Sequence, residues 1–299
     1  AESAALFPEI VESSEIVGRT NGAKPAEAHI PEGVPVIAGA LDGVATVFGA
    51  GAQSAGDGVT ILGTTFSNHY LLKREEVDHT DTAGSTLSFV FPELFVRVMA
   101  NSNGASAFDW ARNQFAPGMS YAELETLVTG IAPGAEGLFF LPYLNGERAP
   151  FRDPKATGQF SGFTSSHHVG HIMRAVLEGL TYSIRDCYSH LPVSEKPVIL
   201  AGGVARSDAL CQILANCLNR PMSRVKNAEF GLLGIGRTTW EGLGRHAMQQ
   251  AASSNLDTFM PEPSQVACYG HGYKVYRNLR EQMAAFWTMR EDFIHATCE

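Results

Sequence analysis

The chain has 299 residues, of which 44% are hydrophobic and 18% are charged, a composition typical of a globular protein with a sizeable core. Its formal net charge of −9 excludes the broad basic surface of a nucleic-acid-binding protein. No apolar run is long enough to span a membrane, and five cysteines without a CxxC motif favour a reduced, cytoplasmic location. We therefore expect neither a nucleic-acid partner nor a membrane partner.

The first third of the chain contains short apolar segments, each bounded by turn residues. Residues 1–33 are polar and turn-rich, and we interpret them as the end of a unit that begins upstream. From Val34, the run PVIAGALDGVATVFGAGA predicts a strand, a turn that carries Asp42, and a helix of small residues. The run VTILG at 59–63 predicts a second strand, and STLSFVF at 85–91 could pair with it in a hairpin or meander.

Helical patterns dominate the rest of the chain. Residues 102–115 read as a helix with Ser102 or Asn103 as its N-cap. A long helix is predicted from about 168 to 190, because apolar residues recur there at helical spacing. The run PVILAGG at 197–203 predicts a strand that ends in a glycine pair, and further helices follow it. Strands that alternate with helices indicate the α/β fold class.

Asp42 is the first residue with a candidate chemical role. It follows an apolar strand and has only small neighbours, in the sequence GALDGVA. A carboxylate at the carboxyl end of a strand lies where open α/β sheets bind ligands, and it could serve as a general base. The alternative is that Asp42 simply caps the following helix.

Gly63, Thr64 and Thr65 follow the strand at 59–63. A glycine allows the backbone to approach a phosphate group closely, and hydroxyls with backbone N–H groups can bind its oxygens. A plain β-turn is the other interpretation of these three residues.

A second glycine-rich turn, Gly202 and Gly203, lies between a predicted strand and a predicted helix. These glycines would allow a nucleotide to approach, and Ser207 could cap the helix or contact the nucleotide. The sequence AGGVARS does not fit G-x-G-x-x-G, and no P-loop motif occurs in the chain. The glycines of FGLLGIG, at 230–236, are interpreted as sites of close helix packing.

Two clusters of polar residues are interpreted as structural. His167 and His171 have i, i+4 spacing, but they lack the glutamate of H-E-x-x-H and a nearby cysteine pair. A zinc-dependent hydrolase is therefore only a minor alternative. Glu147, Arg148 and Asp153 crowd one loop, where we expect an ion-pair network that holds the loop in place.

Six stretches, in this order, resemble the C-terminal half of the FGGY family of carbohydrate kinases. The loop with GERAPFRDPKATG and the helix after it are the most specific of them. The stretches are GVPVIAGALDGVA, TILGTTF, NGASAFDWA, LFFLPYLNGERAPFRDPKATGQFSGFT, HIMRAVLEGLTYSIRD and LAGGVARSDALCQILANCL.

The resemblance implies two actin-like, ribonuclease-H-like domains with the active site in the cleft between them. Residues 1–52 would be the tail of the first, sugar-side domain, and residues 53–299 the second, nucleotide-side domain. Asp42 would be the catalytic base, and ATP with Mg²⁺ the cofactors. The residues implied to bind ATP are the phosphate loop Gly63, Thr64 and Thr65, the nucleotide-side residues Gly104, Ser106 and Asp109, and the adenosine motif Gly202, Gly203 and Ser207.

The family begins with a further domain that carries a D-x-G-[ST] phosphate loop, and this motif does not occur in the chain. The resemblance thus predicts that an N-terminal kinase domain is missing and that the chain alone has little activity. The expected substrate is a small sugar, with a pentulose such as xylulose first and ribulose, glycerol or a C4 polyol as alternatives. A non-catalytic, regulatory nucleotide-binding module is the competing function, and a homo-oligomer is expected on general grounds.

Overall fold

A computed structural model describes residues 8–21, 30–225, 229–245 and 256–297. Cys298 and residues 1–7 and 22–29 of the predicted N-terminal tail lie outside these ranges. The strands in the described ranges are β1 (Ile16–Arg19), β2 (Pro35–Ile37), β3 (Gly58–Leu62), β4 (Phe66–Lys73), β5 (Ser85–Ser88), β6 (Leu94–Ala100), β7 (Phe139–Leu141), β8 (Gln159–Ser161), β9 (Val198–Ala201), β10 (Met222–Val225) and β11 (Leu256–Phe259). The α-helices are α1 (Asp42–Ala50), α2 (Ala105–Phe115), α3 (Tyr121–Thr129), α4 (Val169–Tyr188), α5 (Asp208–Leu218), α6 (Phe230–Gly242) and α7 (Pro263–Thr297).

A seven-stranded mixed sheet organises the described part of the chain, in the order β11-β10-β9-β3-β4-β6-β5. The neighbours β3, β9 and β10 are parallel, and the remaining pairs are antiparallel. Side chains alternate between the two faces of each strand. Val198 and Leu200 of β9 therefore enter the core under α4 and α5, whereas Ile199 and Ala201 pack in the core with α1 and α6. The predicted α/β class is confirmed.

Helices α1 and α6 lie in close contact because glycines face each other's backbones. A Cβ atom on Gly234 would lie 1.7 Å from the carbonyl oxygen of Ala45, and one on Gly49 would lie 1.8 Å from that of Phe230. No side chain larger than hydrogen fits at such distances. The predicted helix packing through FGLLGIG is thus confirmed at Gly234.

Two local predictions are wrong. Only Ser85–Ser88 of the run at 85–91 forms a strand, and this strand pairs with β6 instead of β3. The antiparallel neighbour of β3 is β4, whose pairing begins at Leu62 and Phe66. The N-cap of α2 is Gly104, without a capping side chain. The backbone N–H of Ser102 donates to the Glu147 carboxylate, and the side-chain amide of Asn103 donates to the carbonyl oxygen of Gly146. Neither residue caps the helix.

The long helix predicted at 168–190 is α4, and His168 is its N-cap. The strands β1 and β2 form a separate antiparallel ribbon that hydrogen-bonds to no strand of the large sheet. Every residue of β1 is exposed. Among the described helices, none combines the length and the apolar composition of a membrane span.

Candidate functional site

The two predicted glycine-rich turns meet at one edge of the sheet. Strands β3 and β9 are parallel neighbours, with Ile61 opposite Ala201, so the turns that follow them emerge side by side. Gly202 has a φ of 97°, and a Cβ atom there would lie 2.5 Å from the carbonyl oxygen of Leu62. Only glycine combines that backbone angle with such a close approach. The carboxyl ends of parallel strands are where α/β proteins bind ligands.

The N-terminus of α2 lies against the loop formed by Gly63, Thr64 and Thr65. The backbone N–H of Ala105 donates to the carbonyl oxygen of Gly63 at 3.1 Å. Both the N–H and the hydroxyl of Ser106 donate to the carbonyl oxygen of Thr64, at 3.2 and 3.0 Å. These hydrogen bonds from α2 hold the backbone of the loop in place, and Thr64 and Thr65 stay exposed.

Gly104 makes this contact possible. A Cβ atom at Gly104 would lie 2.7 Å from Cδ1 of Phe66 and 2.9 Å from the carbonyl carbon of Thr65. Neighbouring atoms do not tolerate such distances. The structure thus brings Gly104 and Ser106 into contact with the loop, and both residues position the loop backbone.

A cavity of about 510 Å³ opens between α2, α3 and the start of α5. Its walls are mainly apolar, and three predicted site residues, Asp109, Gly203 and Ser207, line it. The Asp109 carboxylate accepts a hydrogen bond from the Tyr121 hydroxyl at 2.7 Å. We call this the first cavity. Its volume lies within the range of small-ligand sites, which are mostly apolar with a few polar groups.

Ser207 caps α5, as one of its two predicted roles requires. Its hydroxyl oxygen accepts a hydrogen bond from the N–H of Leu210 at 3.2 Å. The same hydroxyl donates to Oε1 of Glu125 at 3.1 Å, and this carboxylate oxygen also accepts the N–H of Ala209 at 2.9 Å. The start of α5 is therefore tied to α3 across the first cavity.

A second cavity of about 830 Å³ lies on the other side of the Gly202-Gly203 turn. Residues Thr46 and Ile61 line it together with both glycines. Ile61 precedes the loop at 63–65 and lines the second cavity, whereas Phe66 follows the loop and lines the first. The loop thus lies between the two cavities.

Asp42 is exposed and is the first residue of α1. The N-cap position belongs to Leu41, so the alternative role of Asp42 as the capping residue is wrong. Its Oδ1 accepts a hydrogen bond from the adjacent N–H of Gly43 at 2.7 Å. Asp42 lines neither cavity, but Thr46, one helical turn further on, lines the second and donates to the Asp42 carbonyl oxygen.

The expected ion-pair network around Glu147 is wrong. The buried Glu147 carboxylate accepts backbone N–H groups of Ser102 at 2.6 Å and Arg148 at 2.8 Å. The Arg148 guanidinium donates to the carbonyl oxygen of Asn101 instead. Burial without a cationic partner raises the pKa of Glu147 to about 7. Hydrogen bonds, and not ion pairs, join this loop to the turn before α2.

The histidine cluster forms the start of α4. Nδ1 of His168 accepts the N–H of Gly170 at 3.2 Å, and Nδ1 of His171 accepts the N–H of His168 at 3.3 Å. Nδ1 of His167 accepts the N–H of Thr164 at 2.9 Å. Among the described residues, no three His, Cys, Asp or Glu side chains are grouped as metal ligands would be.

The sequence did not point to three polar residues that line the first cavity, namely Tyr121, Glu125 and Arg206. Tyr121 and Glu125 lie on α3, a helix that carries no motif. Their role depends on tertiary packing, which local sequence does not report. The sequence could have indicated Arg206 as a site residue, because it lies between the predicted residues Gly203 and Ser207.

A mixed α/β sheet with glycine-rich turns at the ends of parallel strands, beside an apolar cavity, defines a class of α/β proteins that bind small ligands at the sheet edge. Residues 54–236 match the C-terminal domain of the FGGY family of carbohydrate kinases. The chain therefore belongs to this family, and its fold is the actin-like ATPase fold of the family. The resemblance described above is confirmed.

Individual relatives agree with this assignment. The chain is 28% identical over 285 residues to the xylulose kinase of Lactococcus lactis, covering 92% of this chain and 56% of that protein. It is 26% identical over 303 residues to the erythritol kinase of Brucella abortus, covering 94% and 58%. The crystal structure of a ligand-bound xylulose kinase from Lactobacillus acidophilus superposes with a TM-score of 0.86 at 24% identity, covering 94% and 58%. The chain thus spans little more than half the length of these relatives.

Proposed function

We propose that this chain is the nucleotide-side part of a kinase that transfers the γ-phosphate of ATP to a pentulose such as xylulose. The observation that carries the proposal is the convergence of the loop at 63–65, the start of α2 and the Gly202-Gly203 turn beside the first cavity. Xylulose kinases among the relatives support the pentulose. The erythritol kinase among them keeps a C4 polyol as an alternative substrate, and ribulose and glycerol remain further alternatives.

The residues have distinct roles in this proposal. The apolar first cavity accepts the adenosine part of ATP, beside Asp109, Gly203 and Ser207. Thr64 and Thr65 are exposed, so their hydroxyls are open to phosphate oxygens. Mg²⁺ would accompany ATP and would be held mainly by phosphate oxygens and water.

Asp42 is the proposed general base. An exposed carboxylate beside the second cavity can accept the proton of a sugar hydroxyl as the hydroxyl oxygen attacks phosphorus. The oxygen–phosphorus bond forms as the bond from the γ-phosphorus to the bridging oxygen of ADP breaks. The proton remains on the carboxylate until product release.

We further propose that an upstream domain supplies the second wall of the active site. In this division residues 1–52 belong to the sugar-side domain and residues 53–299 form the nucleotide-side domain. The β1–β2 ribbon, which pairs with no strand of the large sheet, supports the division, because a two-stranded ribbon is only marginally stable without further packing. Helix α1 lies at the boundary between the two domains, since it packs against α6. Phosphoryl transfer depends on positioning and electrostatic stabilisation from both walls, so the chain alone is expected to turn over little substrate. The cytoplasmic location and the homo-oligomer stay predictions.

The experiment that tests the base is Asp42→Asn in the protein that includes its upstream domain. Asparagine keeps the size of the side chain but cannot accept the proton at neutral pH. We expect kcat with xylulose to fall by at least about a hundredfold, with ATP affinity unchanged in a calorimetric titration. Unchanged turnover would remove Asp42 from the role of base. ATP binding without sugar-dependent turnover in the unsubstituted protein would favour the regulatory-module alternative.

A further inference from the structure

Arg206 lies at the point where the two cavities meet. It is the last residue of the short turn between β9 and α5, and it lines both the first and the second cavity. Its side chain is exposed. Among the described residues, its guanidinium has no hydrogen bond and no ion pair. A charged group at this junction is therefore available to a ligand.

The guanidinium of the neighbouring Arg224, in contrast, has both ion pairs and hydrogen bonds. Its guanidinium pairs with Asp208 at 2.7 Å and with Asp257 at 2.5 Å. It also donates to the carbonyl oxygens of Ala205 at 2.9 Å and Arg206 at 3.3 Å. Arg224 thus has its charge balanced and holds the backbone of the turn in place. The side chain of Arg206 is then presented from a fixed backbone.

Arg206 supplies the positive charge of the first cavity. Of the described residues that line this cavity, Arg206 is the only arginine or lysine. The acidic residues there are engaged, since Asp109 accepts from Tyr121 and Glu125 accepts from Ser207. With a formal net charge of −9 on the chain, a polyphosphate needs a local positive group to bind.

We propose that Arg206 binds the phosphate groups of the nucleotide, and this inference rests on the proposed ATP site. A base and ribose in the apolar first cavity direct the phosphates out past the Gly203 turn, toward the loop at 63–65. Arg206 lies along that route. A guanidinium donates two parallel hydrogen bonds to phosphate oxygens.

The test is calorimetric titration of the 299-residue chain with ADP and, separately, with adenosine. The variants are Arg206→Gln, which removes the charge, and Arg206→Lys, which keeps it without the two-pronged geometry. We expect Arg206→Gln to weaken ADP binding by about tenfold or more and to leave adenosine binding unchanged. Arg206→Lys should recover part of the ADP affinity. Arg290→Gln, an exposed arginine on α7 that lines neither cavity, is the matched control.

Three outcomes overturn the inference. Wild-type ADP affinity in Arg206→Gln would show that Arg206 does not contact phosphate, while the proposed ATP site would stand. Equal losses of ADP and adenosine binding would assign Arg206 a structural role in the turn. If the unsubstituted chain binds neither ligand, the proposed nucleotide site fails and this inference fails with it.

Discussion

The backbone N–H and the hydroxyl of Ser106 both donate to the carbonyl oxygen of Thr64, at 3.2 and 3.0 Å. This pair of hydrogen bonds joins the first turn of α2 to the proposed phosphate loop. Because the carbonyl oxygen of Thr64 is turned toward the helix, the backbone of the loop stays in a fixed orientation. The geometry assigns Ser106 to the positioning of the loop.

Ser106→Ala should therefore weaken ATP binding by several-fold. The substitution removes one hydrogen bond, with a net contribution of about 1 kcal/mol, and leaves the backbone bond in place. Calorimetric titration with Mg·ATP measures the effect. Ser189→Ala is the control, because the Ser189 hydroxyl also donates to a backbone carbonyl, that of Asp186, at the end of α4. Equal ATP affinities in all three proteins would contradict the positioning role.

The contact between α1 and α6 predicts opposite effects at two glycines of one helix. Gly234→Ala would place a Cβ atom 1.7 Å from the Ala45 carbonyl oxygen, so the helices must separate, and we expect a loss of about 3 kcal/mol or more in the free energy of unfolding. At Gly236 an added Cβ atom meets nothing within 4 Å. Gly236→Ala should then stabilise the helix by up to about 1 kcal/mol.

Urea denaturation of both variants measures these changes. The comparison is controlled internally, because each variant adds one methyl group to α6. Similar stabilities for the two variants would mean that the helices are not in the contact described.

Much of the candidate site was predictable because its signals are local. The strands before Gly63 and Gly202 are apolar runs that end in glycine, and β3 and β9 begin within one residue of the predicted starts. β4 was missed although it forms a local hairpin with β3, because its buried positions include the polar residues Asn68 and His69. The parallel pairing of β3 with β9 was not predictable in the same way, since it joins segments that are distant in the sequence. Tyr121 enters the first cavity for the same reason, through the packing of α3.

The loop around Glu147 shows why charge spacing alone was misleading. Neighbouring charges of opposite sign suggested ion pairs, but backbone N–H groups satisfy the buried carboxylate more completely. Their direction depends on the three-dimensional path of the loop and of the turn at Ser102. Sequence spacing carries no information on that path.

Glu147 also predicts a pH-dependent stability. Its pKa is raised from 4.5 to about 7 in the folded protein, so the folded state binds its proton more tightly than the unfolded state does. Stability from this group is present below pH 4.5 and is lost as the pH rises to about 7. A shift of this size corresponds to about 3 kcal/mol.

Glu147→Gln removes the titration and keeps an oxygen that accepts both backbone N–H groups. Relative to the wild type, the variant should gain stability between pH 5 and pH 8, as measured by urea denaturation at both values. Glu195→Gln, at an exposed position, should follow the wild type at both. A constant difference between Glu147→Gln and the wild type at the two pH values would contradict the assignment.

ADP release with Mg·ATP tests the central claim most directly. The assay compares this chain alone with the protein that includes its upstream domain, across pentuloses, polyols and hexoses. The proposed function predicts ADP release that depends on a pentulose, with xylulose the best acceptor, only when the upstream domain is present. Absence of sugar-dependent ADP release from the protein with both domains would contradict a sugar kinase function.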